Sequence, residues 1–258
     1  MSRYFTSDWH INSTNILKYA NRPYKSWRSA ASSLIEQCNI IASKNDCVFH
    51  VGDLIMLSND RHDTIEDVLN TNAYTLKDVK QQITANFITI EGNHDSGHSC
   101  EADAKSLVLD LNKNYRNVYV SHYPSTHQFY RGPDRSRMQN GMKPGIVLCG
   151  HVHNCWKYYY DNKANILNYN VGIDCHNYKP VRDAEITEDL DFLFKYHDFN
   201  TYFKMTCKDE IEWKKTIKNK LECDRAVRKK IRYQKKGLTE AECLRRKEEA
   251  LRKKGLLK

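Results

Sequence analysis

Along residues 1–188, short β-branched or aromatic runs alternate with stretches whose apolar positions recur at helical spacing, a pattern that predicts a layered α/β domain. Arg3 to Ser7, Cys47 to Val51 and Asn86 to Ile90 read as strands. Trp27 to Ser43 puts Leu34, Ile35, Cys38 and Ile41 at helical spacing, and Leu76 to Ile83 reads as a second helix. Ser106 to Leu111 and Asn117 to Ser121 alternate around a polar turn, which predicts a hairpin. Ile146 to Cys149 and Ile166 to Val171 follow as strands, with Lys157 to Tyr160 expected to pair between them.

The ends of these strands carry the chemistry. The first runs into Asp8-Trp9-His10, the second into Gly52-Asp53 and the third into Gly92-Asn93-His94-Asp95. The second hairpin strand ends at Ser121-His122-Tyr123-Pro124, and the next strand at Gly150-His151-Val152-His153. Ligands gather outside the carboxyl ends of strands in α/β sheets, so the five loops can converge. Each fragment alone is an ordinary turn or a hydrogen-bonded histidine. Together they supply mixed oxygen and imidazole donors, which suit Mn, Fe, Co, Ni or Zn.

Charge divides the chain. Of 41 basic and 32 acidic residues, 19 and 9 lie from Lys208 onward, so residues 1–207 are close to neutral and the net +9 belongs to the tail. No apolar run approaches the ~20 residues of a membrane span. The polar start MSRYFTSDWH lacks a signal-peptide core, and nine Cys without a CxxC pair fit free thiols in a reducing compartment. An intracellular, cytoplasmic protein without membrane contact is expected.

Asp-x-His, Gly-Asp, Gly-Asn-His-Asp, a lone His and Gly-His-x-His, in this order, resemble the signature of calcineurin-like metallophosphoesterases over about residues 3 to 182. The chain looks most similar to a small bacterial and phage branch, through Thr6-Ser7-Asp8, Asn15 to Tyr19, Asn21-Arg22-Pro23, Ser121-His122-Tyr123-Pro124, Asn170 to Asp174 and Tyr178 to Val181. It departs from that branch at Ser13, where a second His is usual. The resemblance implies a sandwich of two β-sheets flanked by helices over residues 1–188, followed by a basic, mainly helical extension over 189–258. It implies two divalent metals, Mn²⁺ foremost with Fe, Co, Ni, Zn or Mg as alternatives. Asp8, His10, Asp53 and His153 would hold one, and Asp53, Asn93, His122 and His151 the other. Two metals about 3.5–4 Å apart share a carboxylate and a hydroxide and clamp an in-line phosphoryl transfer. His94 would protonate the leaving oxygen with Asp95 orienting it; the alternative is a histidine that only hydrogen-bonds a ligand.

Asn15 and Arg22 either face the phosphate or act as a helix cap and a surface cation. Phe129 and Tyr130, in the long loop from Ser125 to Gly145, either stack on a base or lie on an exposed loop. The other histidines, His50, His62, His98, His127, His176 and His197, read as structural or surface residues.

The expected activity is hydrolysis of a small phosphomonoester, a nucleoside 5′-monophosphate by similarity to phage deoxynucleoside 5′-monophosphatases. A phosphodiesterase for cyclic nucleotides or nucleic acid and a non-catalytic metal-binding scaffold are the alternatives. In the tail, Thr239 to Glu242 forms a capping box and Gly255 ends its helix, while Trp213, Ile217 and Leu221 form an apolar stripe. That stripe suits packing on the body or a second subunit, and the basic runs at 228–230 and 245–247 either bind nucleic acid or form a solvated helix face.

Overall fold

The computed structural model describes residues 1–56, 73–95, 102–132, 144–234 and 245. Two mixed sheets, flanked by helices, make up the body. The smaller has the order β3-β2-β1-β9, from β1 (Arg3–Thr6), β2 (Cys47–Val51), β3 (Asn86–Ile90) and β9 (Val181–Arg182). β1, β2 and β3 are parallel, and β9 closes the edge antiparallel to β1. The larger sheet has the order β10-β7-β8-β6-β5-β4. Its strands are β4 (Leu107–Leu109), β5 (Val118–Val120), β6 (Gly145–Cys149), β7 (Tyr158–Asp161), β8 (Ile166–Asn170) and β10 (Phe203–Met205).

β2, β6 and β8 are buried at every position, as central strands covered on both faces must be. That explains the continuous apolar run of β6, while β2 and β8 bury His50, Asn168 and Asn170 as well. β4 and β5 form the expected antiparallel pair. The run at 157–160 does not lie between β6 and β8. Those two pair directly and in parallel, and β7 joins the outer edge of β8 antiparallel. A short polar turn from β7 to β8 makes a hairpin, whereas a parallel neighbour would have needed a crossover.

Helix α1 (Asn15–Tyr19) follows the first strand-end loop. α2 (Trp27–Ile41) starts at a capping box between Ser26 and Ser29, and α3 (Leu76–Gln82) at one between Thr75 and Asp78, so two of the free amides at each start are satisfied. Both helices bury one face against the smaller sheet, in a core that includes Trp9, Leu34, Ile35, Val48, Val79 and Phe87. α4 (Asp183–Tyr196) packs beside β9 and β1.

The first compact unit runs from Met1 to Cys207 and the second from Lys208 to Lys258. The body therefore continues past the expected boundary at 188, because α4 and β10 belong to it. β10 was not expected; its three residues pair with β7, and a run that short has no periodicity of its own. The second unit carries α5 (Cys207–Gln234), where Trp213, Ile217 and Leu221 recur at i, i+4 and i+8 and are half-buried. The capping box at 239–242 and Gly255 lie outside the described residues, as do most of the basic run at 245–247. Among the described residues no helix is long and apolar enough to cross a membrane, and the described cysteines are free thiols.

Candidate metal centre

Six strand ends meet at one edge of the two sheets. The loop after β1 runs beside the loop after β2, with the amides of Asp8, His10 and Ile11 donating to the carbonyls of Gly52, Asp53 and Leu54. The Gly150 amide donates to the His122 carbonyl, which ties the loops after β5 and β6. A bridge between Ser7 and Gly172 brings in the end of β8, which the sequence did not single out as part of the site.

The loop backbones are unusual. Asp8, His10, Asp53, His151 and His153 all have positive φ, between 47° and 72°. Non-glycine residues rarely adopt that region, and such strain clusters at functional sites. Glycines stand where ligand groups come too close for a side chain. A Cβ on Gly150 would overlap Ser7 Oγ and lie 2.5 Å from Asp8 Oδ2, and one on Gly92 would overlap the backbone nitrogen and carboxylate of Asp53.

Seven residues proposed as ligands from the sequence converge here. His10 Nε2 lies 3.9 Å from Asp8 Oδ1 and 3.6 Å from Asp53 Oδ2. His122 Nε2 is 3.2 Å from Asp53 Oδ2 and 3.1 Å from Asn93 Oδ1, and His151 Nδ1 is 3.0 Å from the same Asn93 oxygen. Among the described residues, His and Asp donor atoms form three overlapping clusters: Asp8, His10 and His153; His10, Asp53 and His94, the last of which was not among the proposed ligands; and Asp53, His122 and His151. Asp53 and His10 each occur in two of them, so the clusters run into one another.

The electrostatics call for a cation. His10 Nε2 is buried and has no hydrogen-bond partner, and burial drives its pKa well below the ordinary imidazole value, which favours the neutral ring. Such an orphaned polar atom needs a partner. The His122 Nδ1–H donates to the Val51 carbonyl at 2.9 Å, leaving Nε2 aimed at two oxygens. Burial opposes charge on His122, yet Asp53 overrides it and lifts the pKa to about 9. In turn, Asp53 is held well below the usual carboxylate range: burial pushes it up, but His122 and then His10 outweigh that. A proton on His122 thus occupies the place a metal would take, and metal uptake must displace it. Burial, His122 and His127 lower His151 to about 4, so it stays neutral and ready to ligate. The donor set fits divalent metals of the imidazole- and carboxylate-binding kind.

His94 stands at the centre through its backbone, whose amide donates to Asp53 Oδ1 at 2.9 Å. Its ring lies 5.2 Å from that of His10. Asp95, expected to orient His94, is occupied differently. It is buried, and its carboxylate accepts from the amides of Asp53 at 2.7 Å, Leu54 at 3.0 Å and Gly92 at 2.9 Å. It shapes the bridging-ligand loop and does not orient an imidazole.

Arg22 does not face a substrate. Its guanidinium is fully buried and forks onto Asp174, Nε to Oδ1 at 2.8 Å and Nη2 to Oδ2 at 2.9 Å. It also donates to the carbonyls of Trp9 and Asp8. Asp174 Oδ2 meets His153 Nδ1 at 3.0 Å. Asp174 was visible only as part of Asn170 to Asp174; its lone carboxylate after a strand was the available signal.

Asn15 lines a cavity of about 450 Å³ beside the centre, together with His10, Ser13, Ile16, Tyr19, Ala20, Met56, His94, His153, Asn154 and Cys155. Tyr130 is packed into the body, with its ring 5.5 Å from that of Tyr119. Phe129, half exposed, borders a second cavity of about 210 Å³ with Gly92, Lys105, Ser121, Tyr123 and Arg131. His127 was set aside in the sequence, yet its ring stacks on Tyr123 and lies 4.5 Å from that of His151. His50 is buried against Trp9 and Phe87, and His176 hydrogen-bonds the Asn170 carbonyl. His62 and His98 lie outside the described residues.

An uncharacterized protein of Methanocaldococcus jannaschii, MJ1445, is 27% identical over 180 residues, covering 69% of this chain and 85% of its own. The crystal structure of AQ665, a protein of unknown function from Aquifex aeolicus, aligns with a TM-score of 0.48 at 21% identity, over 72% of this chain and 98% of that one. Residues 1–182 match the calcineurin-like phosphoesterase superfamily domain, whose members generally bind two divalent metals and hydrolyse phosphoesters. With that match over most of its length, and with Asp and His clusters that fit metal at the strand ends, the chain belongs to the calcineurin-like phosphoesterase superfamily.

Proposed function

We propose that the protein is a dinuclear metal-dependent phosphomonoesterase whose substrates are nucleoside 5′-monophosphates, as the phage and bacterial branch of its sequence resemblance implies. One metal is held by Asp8, His10, Asp53 and His153, the other by Asp53, Asn93, His122 and His151, with Mn²⁺ the first candidate. When bound, the pair supplies positive charge to the phosphoryl group and acidifies the attacking water. The chain's own residues do the rest. Asn93 keeps the ligand set less anionic, which favours a substrate carrying close to two negative charges.

The observation that carries the reading is the cavity of about 450 Å³ bordered by His94 on one side and by Ile16, Tyr19, Ala20 and Met56 on another. His94, which lines that cavity, would protonate an alcohol leaving into it, and a nucleoside has the apolar face and size to fill it. The base lies against Tyr19 rather than against Tyr130, which is occupied by Tyr119.

A second reading has one observation in its favour. The cavity of about 210 Å³ next to the Asn93 and His122 loops is lined by Lys105 and Arg131, with Glu91 3.7 Å from the Lys105 ammonium, so Arg131 is the cation it offers to a second ester arm. A phosphodiester of nucleic acid would use both cavities and a monoester only the first.

Values of kcat/KM at fixed Mn²⁺ for deoxynucleoside 5′-monophosphates, 3′-monophosphates, cyclic nucleotides and oligonucleotides decide between them. The 5′-monophosphates are expected to lead, with activity lost on chelation and in Asp53→Ala. His94→Ala should lower the rate by ~10²–10⁴-fold, and by less for leaving groups that need no proton. A preference for oligonucleotides would replace the monoester assignment with the diester one. Metal uptake without turnover of any ester would leave a binding scaffold.

A further inference from the structure

The two metal positions are not built alike. In the position made by Asp8, His10 and His153, the two ligand-bearing loops meet on one buried ion pair. Arg22 and Asp174 have side-chain exposures of 0% and 1%. Arg22 spends its fork on both Asp174 oxygens, at 2.8 and 2.9 Å, and adds the Trp9 carbonyl at 3.0 Å and the Asp8 carbonyl at 2.6 Å. The guanidinium thereby fixes the backbone that carries Asp8 and His10. From the other side, Asp174 Oδ2 meets His153 Nδ1 at 3.0 Å. A carboxylate there fixes the ring tautomer, leaves Nε2 for the metal and raises its basicity. In the other position, His122 Nδ1 meets the Val51 carbonyl, a backbone group.

We propose that Arg22 and Asp174 are positioning residues that set the affinity of the first metal position independently of the second. One planar, permanently charged group joins the Asp8–His10 loop to Asp174, which in turn holds His153, and a lysine could not do so with its single point of attachment. Opposed charges on the pair leave the site's net charge unchanged, so the effect is orientation and ligand basicity and not attraction of the cation.

The proposal rests on the dinuclear centre but not on the substrate, and its test reads metal uptake. In the full-length protein, Mn²⁺ binding is followed by calorimetry and by electron paramagnetic resonance. Wild type should take up two Mn²⁺ per chain and give an exchange-coupled spectrum. Asp174→Asn should weaken one site by ~10–100-fold and leave the other at wild-type affinity, so that a mononuclear six-line spectrum appears at low Mn²⁺. Arg22→Lys should do the same to a smaller extent. Because Asp174→Asn leaves a buried guanidinium without its partner, the pair Arg22→Gln with Asp174→Asn provides a variant with neither charge. It too should keep the second site and lose the first. Two wild-type affinities in a folded variant, or equal weakening of both sites, would overturn the proposal, as would a wild-type chain that takes up one Mn²⁺. A chain that binds two Mn²⁺ and hydrolyses nothing would refute the proposed function alone.

Discussion

His50 has a buried ring with neither nitrogen hydrogen-bonded, set edge-on to Trp9 and near Phe87. Burial holds its pKa at about 3 against an ordinary 6.5, so it is neutral when folded and takes up a proton only when the chain opens. A depressed value means that stability is full above the unfolded pKa and is lost as pH falls through the interval down to the folded one. The loss therefore runs from pH 6.5 to about 3 and reaches on the order of a few kcal/mol. The difference in melting temperature between metal-free wild type and His50→Leu should widen in the variant's favour across that interval. A constant difference would mean that His50 does not carry the acid sensitivity. His151 behaves similarly in origin, since burial and neighbouring imidazoles keep it neutral, but there the lone pair is available to a metal.

At the scale of elements, strand ends and glycines act together. Gly52 has φ +87°, and a Cβ there would lie 2.5 Å from His122 Cγ and 2.7 Å from His122 Cβ, atoms too near the backbone to swing aside. Gly52→Ala should cost on the order of 1–3 kcal/mol through the left-handed backbone alone, and should displace His122 besides. Denaturant midpoint and Mn²⁺ uptake would both fall; a fall in stability with full uptake would show that His122 tolerates the shift. The strands β1, β2, β3, β5 and β6 were legible because their apolar runs are bounded by Gly, Asp, Asn and His, and so were the loops that deliver the candidate ligands. What stayed hidden depends on contacts across the fold. Arg22 and Asp174 are 152 positions apart, and nothing local distinguishes a buried guanidinium from a surface one. Asp95 follows His94 directly, but its carboxylate turns toward the amides of residues 53, 54 and 92. β10 acquires its strand character only from β7.

On the scale of the whole molecule, chemistry and charge are separated. Every candidate ligand and both cavities belong to the unit ending at Cys207, whereas the excess positive charge lies from Lys208 onward. The long helix α5 is strongly polar apart from its Trp213, Ile217 and Leu221 stripe. A chain ending after Cys207 should keep the Mn²⁺ stoichiometry of the full protein. If the tail grips a polyanion, binding of single-stranded DNA by the full chain should weaken steeply with salt, and the shortened chain should lose that dependence. Salt-independent behaviour of both would leave the stripe as the tail's working surface, and sedimentation would then report whether it joins two copies.

The positive φ angles at Asp8, His10, Asp53, His151 and His153 bear on how such a protein changes over generations. Glycine adopts that backbone freely, so replacing one of these side chains by glycine relieves strain even as it removes a donor. Inactivating changes to glycine at these positions are then partly rewarded in stability, the reverse of the usual cost of mutation. A lineage released from the need to hydrolyse its substrate would decay first at the centre and last in the surrounding sheets, leaving a sturdy, inert descendant.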